Sequence, residues 1–160
     1  MEGRFRVLVL CTGNSARSQI AEALLATHGA GRVIATSAGS RPASQVSRHA
    51  IETLAQHGID WTGRVPKRLD EVEGVRYDLV ITVCDNAAEA CPFFPGAAAQ
   101  VHWGLPDPAD ASTPEAARLA FEATYQALAA RIDALLALPL ATLAPADLVR
   151  EAADIHAAAA

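Results

Sequence analysis

Apolar residues fall into two kinds of run along this chain. Val7-Leu8-Val9-Leu10 and Tyr77-Asp78-Leu79-Val80-Ile81-Thr82-Val83 are short and almost continuous, as in strands buried on both faces of a sheet. Phe5 to Leu10 is therefore read as the first strand, Arg32 to Ser37 as the second, and Gln100 to Trp103 as a brief last one after Tyr77–Val83. Between them the spacing turns helical. Ile20, Leu24 and the Ala21/Leu25 pair mark one face of a helix from about Ala16 to His28, closed by Gly29 and Gly31. Val46, Ala50, Ile51 and Leu54 do the same for a helix from Ser47 to His57, ended by Gly58. The stretch from Ile59 to Val75 is irregular, with one helical turn near Arg68–Glu71, and a short helix is expected at Asn86 to Ala90, stopped by Pro92. Thr113 is a natural N-cap for the longest helix, from Pro114 to about Leu138.

Strands alternating with helices predict an α/β protein: a single-domain open parallel sheet of about four strands with helices on both faces. Residues 1–140 form the body, and residues 141–160 are an Ala-rich C-terminal tail, helical or frayed. Leu148, Ala152 and Ile155 give that tail only a weak stripe, so a loose appendage is favoured over a dimer contact.

Composition narrows the class. A chain of 160 residues with 51% hydrophobic content can bury a real core as one domain. A net charge of −5 without a basic stripe argues against nucleic acid. No apolar run reaches membrane length, and Met1-Glu2-Gly3-Arg4 leads straight into the first strand without a signal peptide, so a soluble, cytoplasmic protein is expected. Three cysteines, an odd number, suit a reducing compartment and no static disulfide framework.

Candidate chemistry sits where the first strand ends. Cys11 is followed by five small or polar residues, Thr12, Gly13, Asn14, Ser15 and Ala16, and then by Arg17 and Ser18 at the start of the helix. Open α/β sheets place ligands at such strand-to-helix loops. A loop of small residues can turn its N–H groups inward as an anion nest, and the helix dipole adds positive potential. Arg17 supplies a permanently charged fork for two oxygens of one tetrahedral anion. The same field favours Cys11 as thiolate, with Ser18 as a further donor to the sulfur, and Asn14 tolerates the left-handed backbone such a turn needs. A structural thiol beside a plain turn is the alternative reading. The spacing C-x5-R-S between strand and helix favours the oxyanion site.

Cys84 also ends a strand, and in a parallel sheet the carboxyl ends share one edge. Cys91 follows seven residues later. In a helix their α-carbons would stand about 10 Å apart, whereas a disulfide needs about 7 Å or less. A bridge between them would require this segment to unwind. Two ordinary small core residues remain the alternative. A zinc site is disfavoured because positions 11, 84 and 91 contain no C-x2-C pair and His102 is not at ligand spacing. Asp107, in Asp107-Pro108 after the last strand, could act as a general acid on the same edge, the alternative being a simple turn.

Together, V-L-C-T-G-N-S-A-R-S-Q-I-A-E-A, I-T-V-C-D-N-A-A-E-A-C-P-F-F-P-G and H-W-G-L-P-D-P-A resemble the thioredoxin-coupled arsenate reductases, which share the low-molecular-weight protein tyrosine phosphatase fold. The resemblance covers about Val7 to Leu138. It implies that Cys11 attacks arsenate while the loop amides and Arg17 hold the oxygens, and that Asp107 is the general acid. It further implies that Cys84 attacks the sulfur of the Cys11–arsenic adduct and releases arsenite. Cys91 would then attack Cys84, leaving a Cys84–Cys91 bridge for thioredoxin to reduce. No metal or other cofactor is implied: some relatives hold potassium near this loop, and Asn14, Glu22 and Ser37 match that site, but Arg68 stands at the position of its acidic ligand. The alternatives are a phosphatase on small or peptidyl phosphomonoesters, which needs only the loop, Cys11 and Asp107, and a non-catalytic oxyanion or redox sensor. Phosphatases of this fold carry aromatic residues after the Asp-Pro pair, where this chain has Ala109-Asp110. Glutathione, glutaredoxin or mycothiol would be the alternative electron donors.

Overall fold

The computed structural model describes residues 4–84 and 93–159 of the chain. Among these residues four parallel strands form one open sheet in the order β2-β1-β3-β4, with β1 at Phe5–Cys11, β2 at Val33–Gly39, β3 at Leu79–Thr82 and β4 at Gln100–His102. β1 pairs on both sides, and Val7, Leu8, Val9 and Leu10 are all fully buried. That is why its apolar run is continuous rather than alternating. Because β2 and β3 lie on opposite flanks of β1, the chain reverses direction across the sheet at the β1–β3 boundary. The carboxyl ends of those two strands open a crevice there.

Among the described residues there are four α-helices: α1 at Arg17–His28, α2 at Arg48–Gln56, α3 at Pro114–Leu136 and α4 at Pro145–Ala159. As expected, Thr113 caps α3, its Oγ1 accepting from Ala116 N at 3.0 Å. Leu24 and Leu25 of α1, Leu54 of α2, Phe121 and Leu128 of α3 and Leu148 of α4 join Val7, Val9 and Ile81 in one core. The other face carries Leu8, Leu10 and Val80. Among the described residues it is covered by the 3₁₀ turn Leu69–Glu71, with Val72, Tyr77 and Phe94 packed nearby. The helical cover is thus uneven between the two faces.

Strand and helix ends differ from the sequence expectation by a residue or two, which is normal fraying of the hydrogen-bond ladder. The clearest difference lies at the C-terminal end. Leu148 and Ala152 of α4 are buried, and Trp103 Nε1, just past β4, donates to Ala152 O at 2.9 Å. The stripe is weak because its residues are small. Alanine lets the helix backbone approach closely enough to accept the indole proton, so the segment packs where a loose appendage was expected. The expected helix at Asn86–Ala90 lies outside the described residues. No helix among the described residues is long and apolar enough to cross a membrane.

Candidate active site

Cys11 is the last residue of β1, and the chain turns through Thr12–Ala16 before α1 begins at Arg17. The turn hinges on Asn14, which adopts φ 51°, in the left-handed region that asparagine tolerates. The loop after β2 straps the outside of this turn. Ser40 N donates to Cys11 O (3.3 Å), Arg41 N to Thr12 O (2.9 Å), Ala43 N to Gly13 O (2.9 Å) and Ser47 N to Ser15 O (2.8 Å). In a trans peptide the carbonyl and the following N–H point in opposite directions, and no peptide bond among the described residues is cis. With those carbonyls drawn outward, the N–H groups of Thr12, Gly13, Asn14 and Ala16 point the other way. That direction is a cavity of about 460 Å³ lined by Cys11 to Arg17, Arg41, Asp107, Ala109 and Asp110. Seven of these carry no charge, two are arginines and two are aspartates.

Arg17 is 3% exposed. Its Nη1 donates to Leu105 O at 2.9 Å and Val83 O at 3.4 Å, which ties the carboxyl ends of β3 and β4 together. Its Nη2 stands 3.6 Å from Asp107 Oδ2. Asp107 heads the 3₁₀ turn Pro108–Asp110, its Oδ1 accepting from Ala109 N at 3.0 Å. So the proposed cation and acid meet at one cavity, as their spacing from the strand ends suggests. Cys84, two residues beyond β3, is buried, and its Sγ lies 4.0 Å from Thr12 Oγ1. The second sulfur therefore adjoins the turn that begins at Cys11. Cys91 lies outside the described residues.

Ser18 stands behind the turn rather than in the cavity lining: its Oγ accepts from Asn14 Nδ2 at 2.8 Å. Asn14 Nδ2 also donates to Ser37 Oγ (2.8 Å), and Asn14 Oδ1 accepts from Lys67 N (2.8 Å). Ser37 Oγ donates to Glu22 Oε1 at 2.6 Å. Around Glu22 the cations are Arg64 (3.6 Å) and Lys67 (3.9 Å), while Arg68 turns away to pair with Asp70 at 3.1 Å. The positive charge beside Glu22 therefore comes from neighbours of Arg68, not from Arg68 itself. Among the described residues no group of three or more His, Cys, Asp or Glu is arranged to hold a metal ion.

Sequence reasoning missed Gly39, Gln19 and Trp61. A Cβ on Gly39 would run into Thr12 O and stand 3.0 Å from Asn14 N, so only glycine lets the end of β2 lie against the turn. The one available signal was a glycine two residues past a predicted strand. Gln19 and Trp61 act behind the turn and gave no pattern at all.

A family model described as low molecular weight phosphotyrosine protein phosphatase matches residues 6–148. An arsenate reductase of Bacillus anthracis is 38% identical over 119 residues, which is 74% of this chain and 88% of the relative. A solved structure described as an arsenate reductase in the phosphate binding state aligns with TM-score 0.70 at 28% identity, covering 83% of this chain and 97% of that one. The thioredoxin-dependent arsenate reductase of Corynebacterium glutamicum aligns with TM-score 0.62 at 29% identity, covering 82% and 60% of the two chains.

Proposed function

The chain belongs to the low molecular weight phosphotyrosine protein phosphatase family, and from that premise we propose that it reduces arsenate to arsenite, with thioredoxin as the electron donor in the cytoplasm. The sulfur of Cys11 attacks arsenic while the loop N–H groups of Thr12–Ala16 and the Arg17 guanidinium hold the remaining oxygens. Asp107 gives a proton to the departing oxygen, which leaves as water, and arsenic stays pentavalent in a Cys11–S–As adduct. The thiolate of Cys84 then attacks Cys11 Sγ. The S–As bond breaks, its electron pair goes to arsenic, and arsenite leaves as a Cys11–Cys84 disulfide forms. Cys91 attacks Cys84, frees Cys11, and passes a Cys84–Cys91 disulfide to thioredoxin.

The observation that carries this reading is the second sulfur packed against the turn that lines the anion cavity, Cys84 Sγ lying 4.0 Å from Thr12 Oγ1. Phosphoester hydrolysis needs one nucleophile, one cation and one acid. It has no use for a thiol at that place. The shared cavity, Cys11 and Asp107 also suit slow phosphatase action as a side activity, and the family match supports that secondary reading.

The test is arsenate-dependent NADPH oxidation with thioredoxin and thioredoxin reductase. Cys84→Ser and Cys91→Ser should each abolish arsenate turnover while p-nitrophenyl phosphate hydrolysis survives. Normal arsenate turnover by both variants would make phosphatase the better description. With a small-thiol donor in place of thioredoxin, Cys91→Ser should retain turnover and Cys84→Ser should not.

A further inference from the structure

The carbonyl straps explain the outer side of the anion turn, but Asn14, on which it pivots, is also gripped from behind. Asn14 is fully buried, and both its carbonyl oxygen and its Oδ1 accept from Gln19 Nε2, each at 3.1 Å. Gln19 is 1% exposed, and its Oε1 accepts the indole N–H of Trp61 at 2.8 Å. Trp61 is itself 3% exposed and comes from the irregular stretch after α2. Arg64 covers its ring, with the guanidinium carbon 3.8 Å from the centroid, and reaches Glu22 Oε2 at 3.6 Å. Glu22 holds Ser37, and Ser37 accepts from Asn14. The contacts close into a ring around one backbone conformation.

We infer that Trp61 is a positioning residue of the anion turn, acting through Gln19. A primary amide carries one acceptor oxygen and one donor nitrogen on a rotatable plane. The indole N–H is donor only, so it fixes the Gln19 oxygen toward Trp61 and the Gln19 nitrogen toward the two oxygens of Asn14. Without that N–H the buried Gln19 oxygen loses its partner, and only Asn14 still holds the amide in this orientation. The opposite one would set oxygen against oxygen in a buried place, where an unmet polar group is costly. A loosened Asn14 no longer holds φ 51°, and the N–H groups beside it lose their common aim. Catalytic geometry thus depends on a residue that touches no ligand. The inference rests on reading the cavity as an oxyanion site.

The chain has two tryptophans, which makes the test direct. In ¹⁵N-tryptophan-labelled full-length protein, inorganic phosphate is titrated while both indole N–H resonances and the amides of Thr12–Ser18 are followed. The resonance missing from Trp61→Phe identifies Trp61. It should move with the same midpoint as the loop amides, while the Trp103 resonance, bonded to Ala152 O, stays in place. Trp61→Phe should weaken phosphate binding about fivefold to tenfold, the worth of one buried hydrogen bond. Gln19→Glu keeps the acceptor for the indole but presents oxygen to Asn14, and should weaken it at least as much.

Loop amides that move while the Trp61 indole stays still would overturn the inference and leave the oxyanion reading standing. So would a Trp61→Phe variant with a lower melting temperature but unchanged phosphate affinity, since that is what a merely structural role gives. Loop amides that ignore phosphate would overturn the oxyanion reading and this inference together.

Discussion

The loop after β1 and the loop after β4 face each other across one cavity, yet they are held very differently. In the first, four carbonyls are strapped from outside, Asn14 is fully buried, and every polar atom of its side chain is bonded. In the second, the Asp107 side chain is 34% exposed, takes one backbone N–H, and sits 3.6 Å from Arg17, beyond a good hydrogen bond. The difference matches the tasks proposed for them. Binding a tetrahedral anion rewards donors fixed in advance. A proton donor must reach an oxygen whose position changes as the bond breaks, so some freedom serves it.

Gly39→Ala attacks the fixed side and should have the largest effect. The new Cβ forces apart Thr12 and the end of β2, costing about 1–3 kcal/mol as overpacking does, and phosphate binding should be lost in calorimetry. Retention of wild-type affinity would mean the turn is less rigid than its contacts indicate. Asp107→Asn attacks the more loosely held side. Turnover of arsenate and of p-nitrophenyl phosphate should fall by about a hundredfold or more, with phosphate affinity and melting temperature nearly unchanged. If affinity and stability fell as well, the two loops would be one unit.

The smallest effect concerns how the second loop is supported. Trp103 joins the end of β4 to α4, and on α4 His156 Nδ1 accepts from Arg131 Nε at 3.0 Å. Burial, then the charge of Arg131 and of His102, lowers the His156 pKa below its ordinary value. A histidine with a lowered folded pKa stays neutral while the unfolded chain takes up a proton. Stability is therefore full above about pH 6.5 and declines as the pH falls below that toward the folded value. Hydrogen exchange should show residues 102–111 losing protection on mild acidification while residues 11–18 keep theirs, and His156→Gln should flatten the response.

The same contrast explains what could be read from the chain. β1, the C-x5-R-S turn and the Thr113 cap are local, since periodicity, one motif or one capping residue declares each of them. Asp107 was legible as a turn, and its place on the same sheet edge as Cys11 followed from the parallel strands; its pairing with Arg17 was not legible. Gly39, Gln19 and Trp61 were not legible, because each matters only through a neighbour far off in the chain: Trp61 meets Gln19 across 42 positions. The burial of α4 was hidden for a similar reason. Leu148 and Ala152 look sparse until Trp103 supplies the other half of the contact.

For anyone wishing to immobilise or fuse this protein, the Trp103–Ala152 bond sets the rules. A tag spliced in before α4, or a trimmed clone ending near residue 144, would strip the cover from an indole that is 0% exposed and leave it facing water. Cargo attached beyond Ala159 leaves that lid shut.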